Sequence, residues 1–229
     1  MSFKLIIEQE LDLKYEIASS NLYQLTQKLE LPYVKPSEDI IEIFKVQRPE
    51  VKESVIDRLN FYSSICEHAV SQGLNTKSEA NFAWYALQKL KMIPSDNMFS
   101  HVDQDDSIEI YDSMGLQIYR SFNFSKYTKY SLEELMIYPW YELYSRDEKI
   151  THLMMEVMKK LIVSKNEDIV FLDMIPTHFC KETMGKYNWV TKVRFKIAAP
   201  LQDKLGNTVG FIATQKLERH NDLLSSVHL

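Results

Sequence analysis

WVTKVRFKIAAPL, Trp189 to Leu201, and TVGFIATQKLE, Thr208 to Glu218, decide the fold. Apolar and polar side chains alternate through both, the period of a half-buried strand, and Asp203-Lys-Leu-Gly-Asn207 between them has turn chemistry. The pair reads as an antiparallel hairpin. Trp189, Thr191, Val193, Phe195 and Ile197 are expected on one face and Lys192, Arg194 and Lys196 on the other, and Val209, Phe211, Ala213 and Leu217 repeat the pattern. A sheet with one buried face needs something to cover it.

Working outward, Ser107 to Tyr111 and Leu116 to Phe122 read as two further strands, joined by Asp112-Ser-Met-Gly115, where Gly115 can take the positive φ of a tight reversal. Ser125 to Asp147 is aromatic-rich and reads as short helices, with Ser131-Leu-Glu-Glu134 matching a capping box and Pro139 interrupting. Ile150, Leu153, Met154, Val157, Leu161 and Ile162 mark one long amphipathic helix, and Asp168 to Cys180 a third strand.

The first hundred residues read as helices stopped by Pro32, Pro36, Pro49, Gly73 and Pro94. Pro49 suits the first turn of a helix whose stripe Val51, Val55, Leu59, Tyr62, Cys66, Ala69 and Val70 ends at Gly73. Thr76-Lys-Ser-Glu79 is a capping-box signature that opens the next helix, with Ala80, Ala83, Leu87 and Leu90 turned inward. After Pro94 the composition becomes polar and acidic, so the expected division is a helical domain over 1–100, an α+β domain over 107–218 and a C-terminal tail over 219–229.

Of 229 residues, 45% are apolar, enough for a proper core, while 5 glycines are too few for a Gly-rich nucleotide-binding enzyme. A formal net charge of −5 gives no whole-chain field for nucleic acid or anionic membrane. Cys66 and Cys180 are far apart, which excludes a disulfide framework and a CxxC pair and fits a reducing cytosol. The N-terminus carries acids within its apolar run and no stretch reaches bilayer length, so a cytoplasmic protein without membrane contact is expected.

Thr128-Lys-Tyr-Ser-Leu-Glu-Glu-Leu135 is similar to the threonine-glycine-tyrosine-serine stretch and paired-glutamate helix start of the PAS sensor family, with Phe124 upstream at the expected spacing. Asp112 to Gly115 and Asp203 to Asn207 look like that family's two characteristic turns. The chain thus resembles a PAS domain from about Ser107 to Glu218, with Lys129, Ser121 and Met136 departing from the family pattern. The resemblance implies a five-stranded antiparallel sheet with helices on one face, enclosing a ligand pocket or a solid core. Trp140, Tyr144, Met154, Met158, Phe195 and Phe211 are the candidates to line that pocket. No cysteine motif of the photochemical flavin type is present.

Other constellations carry less. His178, Cys180 and Glu182 alternate and would share one side of a continuous strand, but Pro176 and Thr177 break into it and a closed metal site needs more ligands. No cofactor is expected; haem on His178 or His152, or a small apolar metabolite, is the loosest fit. Cys180 lacks an orienting group and an oxyanion motif, so no catalysis is expected. Asp103-Gln-Asp-Asp106 lacks the glycine and bidentate glutamate of a calcium loop and reads as a solvated linker.

Residues 65–90 resemble a degenerate LuxR-type helix-turn-helix. Under that reading Asn75, Thr76, Lys77, Ser78, Asn81 and Lys89 would meet DNA, but Glu79 falls at a position that should be buried and apolar, and residues 57–92 carry 4 basic and 3 acidic groups, a poor footprint for phosphate. The expected function is therefore a non-catalytic cytosolic sensory or regulatory protein. Its PAS-like part would sense a small molecule or mediate protein-protein interaction in signal transduction, as a modest candidate for a homodimer. The alternative is a transcription regulator binding DNA through residues 75–91.

Overall fold

The computed structural model describes residues 3–74, 78–138, 140–163, 169–184 and 189–220, the side chains of 3–7 and 141 excepted. Helices are α1 (Phe3–Lys28), α2 (Glu38–Lys45), α3 (Pro49–Gln72), α4 (Glu79–Leu90), α5 (Leu132–Ile137), α6 (Trp140–Leu143) and α7 (Glu148–Val163). Strands are β1 (Ser107–Asp112), β2 (Gln117–Arg120), β3 (Tyr144–Ser145), β4 (Val170–Phe171), β5 (His178–Glu182), β6 (Val190–Gln202) and β7 (Thr208–His220). The fold is α+β, a helical N-terminal region followed by an antiparallel sheet. Two compact units share the chain: Met1–Thr76 with Lys129–Leu143, and Lys77–Thr128 with Tyr144–Leu229.

In the first unit α1 packs along α3. Pro49 starts α3 where its missing N–H is no loss, and Gly73 closes it at φ 58°, as its neighbours predict. Val55, Leu59, Tyr62, Cys66 and Ala69 are buried on the expected stripe. Lys52 is buried beside them, its Nζ 2.7 Å from Asp12 and 5.6 Å from the centre of the Phe44 ring, so its charge stays paired out of water. The capping box of α5 forms as the spacing predicts: the Ser131 hydroxyl accepts from the Glu134 N–H at 3.3 Å, and the Glu134 carboxylate accepts from the Ser131 N–H at 2.8 Å.

Glu79 shows why the division lies at 76/77 rather than near residue 100. It is not the third residue of a capping box. It begins α4, and its buried carboxylate accepts the N–H groups of Phe122 at 3.2 Å and Asn123 at 2.7 Å, at the head of the 3-10 helix Phe122–Lys126. Phe82 packs edge-on to Phe122 at 5.5 Å, and α4 lies against β1. The helix thus belongs with the sheet.

The sheet order is β2-β1-β7-β6-β5-β3, with β4 pairing β6, all antiparallel. Seven strands replace the expected five because β3 and β4 are two-residue additions. The expected third strand is two pieces, β4 and β5, separated by a turn that the Ile175 N–H closes onto the Leu172 carbonyl at 2.9 Å, ahead of Pro176. Gly115 and Gly206 close the hairpins at φ 77° and 80°.

A bulge overturns one facing assignment. Phe195 pairs with Gln215 but Ile197 pairs with Thr214, so Lys196 is the extra residue and Ile197 moves to the face opposite Phe195. Before the bulge Arg194 is exposed, and Lys192 and Lys196 half-buried; from Ile197 to Leu201 every residue is buried. That half of the sheet is covered on both faces, not one. The Ile93–Gln202 bridge and the packing of α4 on β1 add cover there, while α7 lies against β6 and β7.

At Gly210 the backbones close up, because a Cβ there would lie 2.2 Å from the Tyr111 carbonyl oxygen. Gly210→Ala is expected to force β1 from β7 at a cost of about 1–3 kcal/mol, lowering Tm by about 5 °C. Thermal unfolding followed by circular dichroism checks this, and an unchanged Tm contradicts the close approach.

Candidate functional site

Alternation places Ser107, Glu109 and Tyr111 of β1 on the same face as Arg120 of β2, Phe211, Ala213, Gln215 and Leu217 of β7, Phe195 of β6, and His178, Cys180 and Glu182 of β5. This inner wall is polar to a degree that the aromatic and methionine candidates did not foretell. Arg120 and Glu109 pair at 2.8 Å with side chains 8% and 5% exposed. The Gln215 amide donates to Glu109 at 3.0 Å, the Tyr111 hydroxyl donates to its other oxygen, and Gln117 donates to Tyr111 at 3.1 Å. The Arg120 guanidinium lies 3.9 Å from the centre of the Phe124 ring. Burial, then the Glu109 charge, pushes the Tyr111 phenol far above its usual range, so it keeps its proton, donating to Glu109 while accepting from Gln117.

Along the wall His178 stacks on Phe195 at 5.8 Å. Its Nδ1 lies 2.9 Å from the Pro176 carbonyl oxygen, which can only accept, so the proton sits on Nδ1 and Nε2 carries the lone pair. That Nε2 is buried with no hydrogen-bond partner among the described residues. Burial lowers the His178 pKa and raises that of Cys180, leaving a neutral imidazole beside a protonated thiol, the reverse of an activated nucleophile. The nearby Arg146 charge acts on both, and its Nη1 donates to Met154 Sδ on α7 at 3.0 Å.

Tyr144, Met154, Met158, Phe195 and Phe211 all belong to this unit, whereas Trp140 lies in α6 of the other. Phe211 stacks on Tyr111 at 4.6 Å and 9°. The Met158 methyl lies 3.0 Å from where a Gly115 Cβ would be, placing α7 over the β1–β2 turn. The Tyr144 hydroxyl is 3.0 Å from Thr128 Oγ1, which donates to buried Glu182 at 2.7 Å. Thr128 and Tyr144 are the last residue before and the first after the excursion Lys129–Leu143, so this chain of hydroxyls ties its neck. Inside the first unit Tyr130 donates to the Leu143 carbonyl at 2.9 Å, and buried Glu133 accepts from Ser19 at 3.0 Å and Tyr33 at 3.4 Å.

Of the DNA candidates, Asn75, Thr76 and Lys77 lie outside the described residues. Ser78 precedes α4 without capping it, and Asn81 and Lys89 are exposed on it, Lys89 Nζ standing 5.7 Å from the centre of the Tyr85 ring. His152 is exposed on α7 and lies 3.3 Å from Glu156, away from the inner wall. His178, Cys180 and Glu182 do share one buried face, since β5 starts at His178 rather than breaking there. Among the described residues no three His, Cys, Asp or Glu side chains converge as metal ligands. Asp103 to Asp106 is not simply solvated: Asp106 is fully buried, and Lys196 Nζ donates to Asp106 and, at 2.8 Å, to Asp103.

A depression of about 400 Å³ on α1, lined by Leu13, Glu16, Ile17, Ser20, Asn21 and Gln24, belongs to one helix face and holds none of the candidates. No described helix is long and apolar enough to cross a membrane. Neither the protein-family models nor the curated proteins contain a match to this chain.

Proposed function

We propose a non-catalytic regulatory role in which the sheet unit behaves as a PAS-like sensor and residues 129–143 carry its state to the N-terminal helices. One observation carries this reading: the segment leaves the sheet unit at Thr128 and returns at Tyr144, yet it packs with Met1–Thr76. Any shift of β5 that moves Glu182 acts on both ends of that segment through Thr128. The succession from β1 of two strands, short helices, a long helix and then β5, β6 and β7 is the layout that the resemblance implies. A polar wall with an unsatisfied His178 Nε2 favours a small molecule that donates a hydrogen bond over an apolar metabolite. A ligand acts here only through its different affinity for two arrangements of the wall and the helices over it.

Native mass spectrometry of the full chain tests the sensing arm. The expected result is a retained small molecule, or one taken up from a metabolite panel, that is lost in Met154→Trp, which sets a bulky ring on α7 where Met154 meets Arg146. A chain that takes up nothing, and whose Tm no metabolite raises, contradicts it.

A further inference from the structure

We propose that the open end of the outer sheet face docks an acidic segment of a partner protein, with Lys181, Lys192, Arg194 and Lys216 as its charges and Phe179 as its apolar contact. Ladder register builds the surface. Phe179 stands opposite Lys192, which stands opposite Glu218; Arg194 stands opposite Lys216; and Lys181 follows Phe179 by two on the same face. Side chains directly opposite on one face lie about 5 Å apart, so these form one patch. Phe179 is 47% exposed, and Lys181, Arg194 and Lys216 are exposed. On this face of β5, β6 and β7 the acid is Glu218, bound to Lys192 at 3.0 Å, which lowers its pKa, and lowered further by the Lys216 charge; among the described residues Lys181, Arg194 and Lys216 make no ion pair. Such a cluster in a chain of net charge −5 is a local departure, and setting Arg194 opposite Lys216 costs stability until an anion arrives.

The molecule itself shows what fits. At the far end of the same row Lys196 is held by the acidic run: its Nζ donates to Asp103 at 2.8 Å, to Asp106 and to the His101 carbonyl at 3.2 Å. Lys216 further lowers the pKa of Asp103, after Lys196. An acidic segment thus already covers one end of the row, and a second one on the open end would extend that arrangement. A second copy of this chain does not suit the surface, because a two-fold contact would set the basic patch against itself. A nucleic-acid strand suits it less, since Phe179 with His220 tilted against it at 5.1 Å forms one closed ring pair and no run of open stacking platforms. The surface lies on the face opposite the polar wall and stands independently of any ligand there.

Fluorescence anisotropy on the full chain tests this with a labelled synthetic peptide of alternating Asp and Glu around one Phe, its Asn/Gln counterpart, and single-stranded oligothymidylate of equal length. The acidic peptide is expected to bind with an affinity that falls as salt rises, and the amide peptide not to bind. Arg194→Glu is expected to weaken binding about tenfold, an exposed attraction turned into a repulsion. Phe179→Ala is expected to weaken it without changing the salt dependence. Arg194 and Phe179 are exposed, and an unchanged Tm verifies that each variant folds. Equal peptide affinity in wild type and Arg194→Glu overturns the proposal, as does absence of peptide binding, and tighter binding of oligothymidylate assigns the surface to nucleic acid instead.

Discussion

Arg120→Met is expected to destabilise the protein by about 3–5 kcal/mol, because it strands the Glu109 carboxylate in the interior of the sheet unit. Glu109 is 4% exposed and is hydrogen-bonded by Gln215 and Tyr111, but among the described residues its one ion pair is with Arg120. Neither the amide nor the phenol brings a charge, and desolvation of an unpaired carboxylate exceeds what neutral donors return. The same substitution made together with Glu109→Leu is expected to cost far less, since an apolar pair of similar volume removes the stranded charge along with its partner. Urea unfolding of both single variants and the double variant measures the coupling. Additive effects would show that the two side chains do not depend on each other.

The second large effect is a pH dependence carried by Glu79. Burial pushes its carboxyl up to about 7 from an ordinary 4.5, although the Asn123 and Phe122 N–H groups and the Lys126 charge favour the ionised form. The folded value lies above the unfolded one, so the folded state holds this proton more tightly. Its contribution to stability is full below 4.5 and is lost as the pH climbs through about 7. Glu79→Gln keeps one oxygen, which can accept the Asn123 N–H, and cannot ionise; its lost bond to the Phe122 N–H is the same at every pH and drops out of the pH dependence. The stability of wild type relative to Glu79→Gln is expected to fall by roughly 3 kcal/mol between pH 4.5 and pH 8. Carboxylates shifted the other way, such as Asp103 and Asp203, are common to both proteins and cancel in the difference. A difference that stays flat across that range would mean that Glu79 ionises freely. Glu133, raised by burial in the first unit, acts in the same direction.

The α+β class and most of its elements were legible in the residues, because period-two alternation, the Ser131 capping box and the Pro49 and Gly73 stops are local signals. What was not legible needed partners distant in sequence. In β1 the alternation of Ser107, Glu109 and Tyr111 with Ile108 and Ile110 suggests one wet face, yet both faces are buried, since Arg120 and Gln215 supply the charge and amide that Glu109 requires. The bulge at Lys196 is invisible in the repeat and moves Ile197 across the sheet. Glu79 matched a helix start by spacing, but its carboxylate serves the N–H groups of Phe122 and Asn123, more than forty residues on. Nothing local in the aromatic run from Tyr130 assigns its first part to the N-terminal helices, where Glu133 is held by Ser19 and Tyr33. Phe195 and Phe211 were found because large apolar residues at alternate positions specify burial, whereas His178 faces inward only because β5 begins there.

Amide hydrogen exchange on Glu182→Gln tests the coupling most directly, since Glu182 lies wholly within the sheet unit and bonds Thr128 at the neck of the excursion. Faster exchange is expected in residues 129–143 and along α1, with the β1–β7 ladder unchanged. Altered exchange confined to β5 and its neighbours, with residues 129–143 and α1 as in wild type, would contradict it.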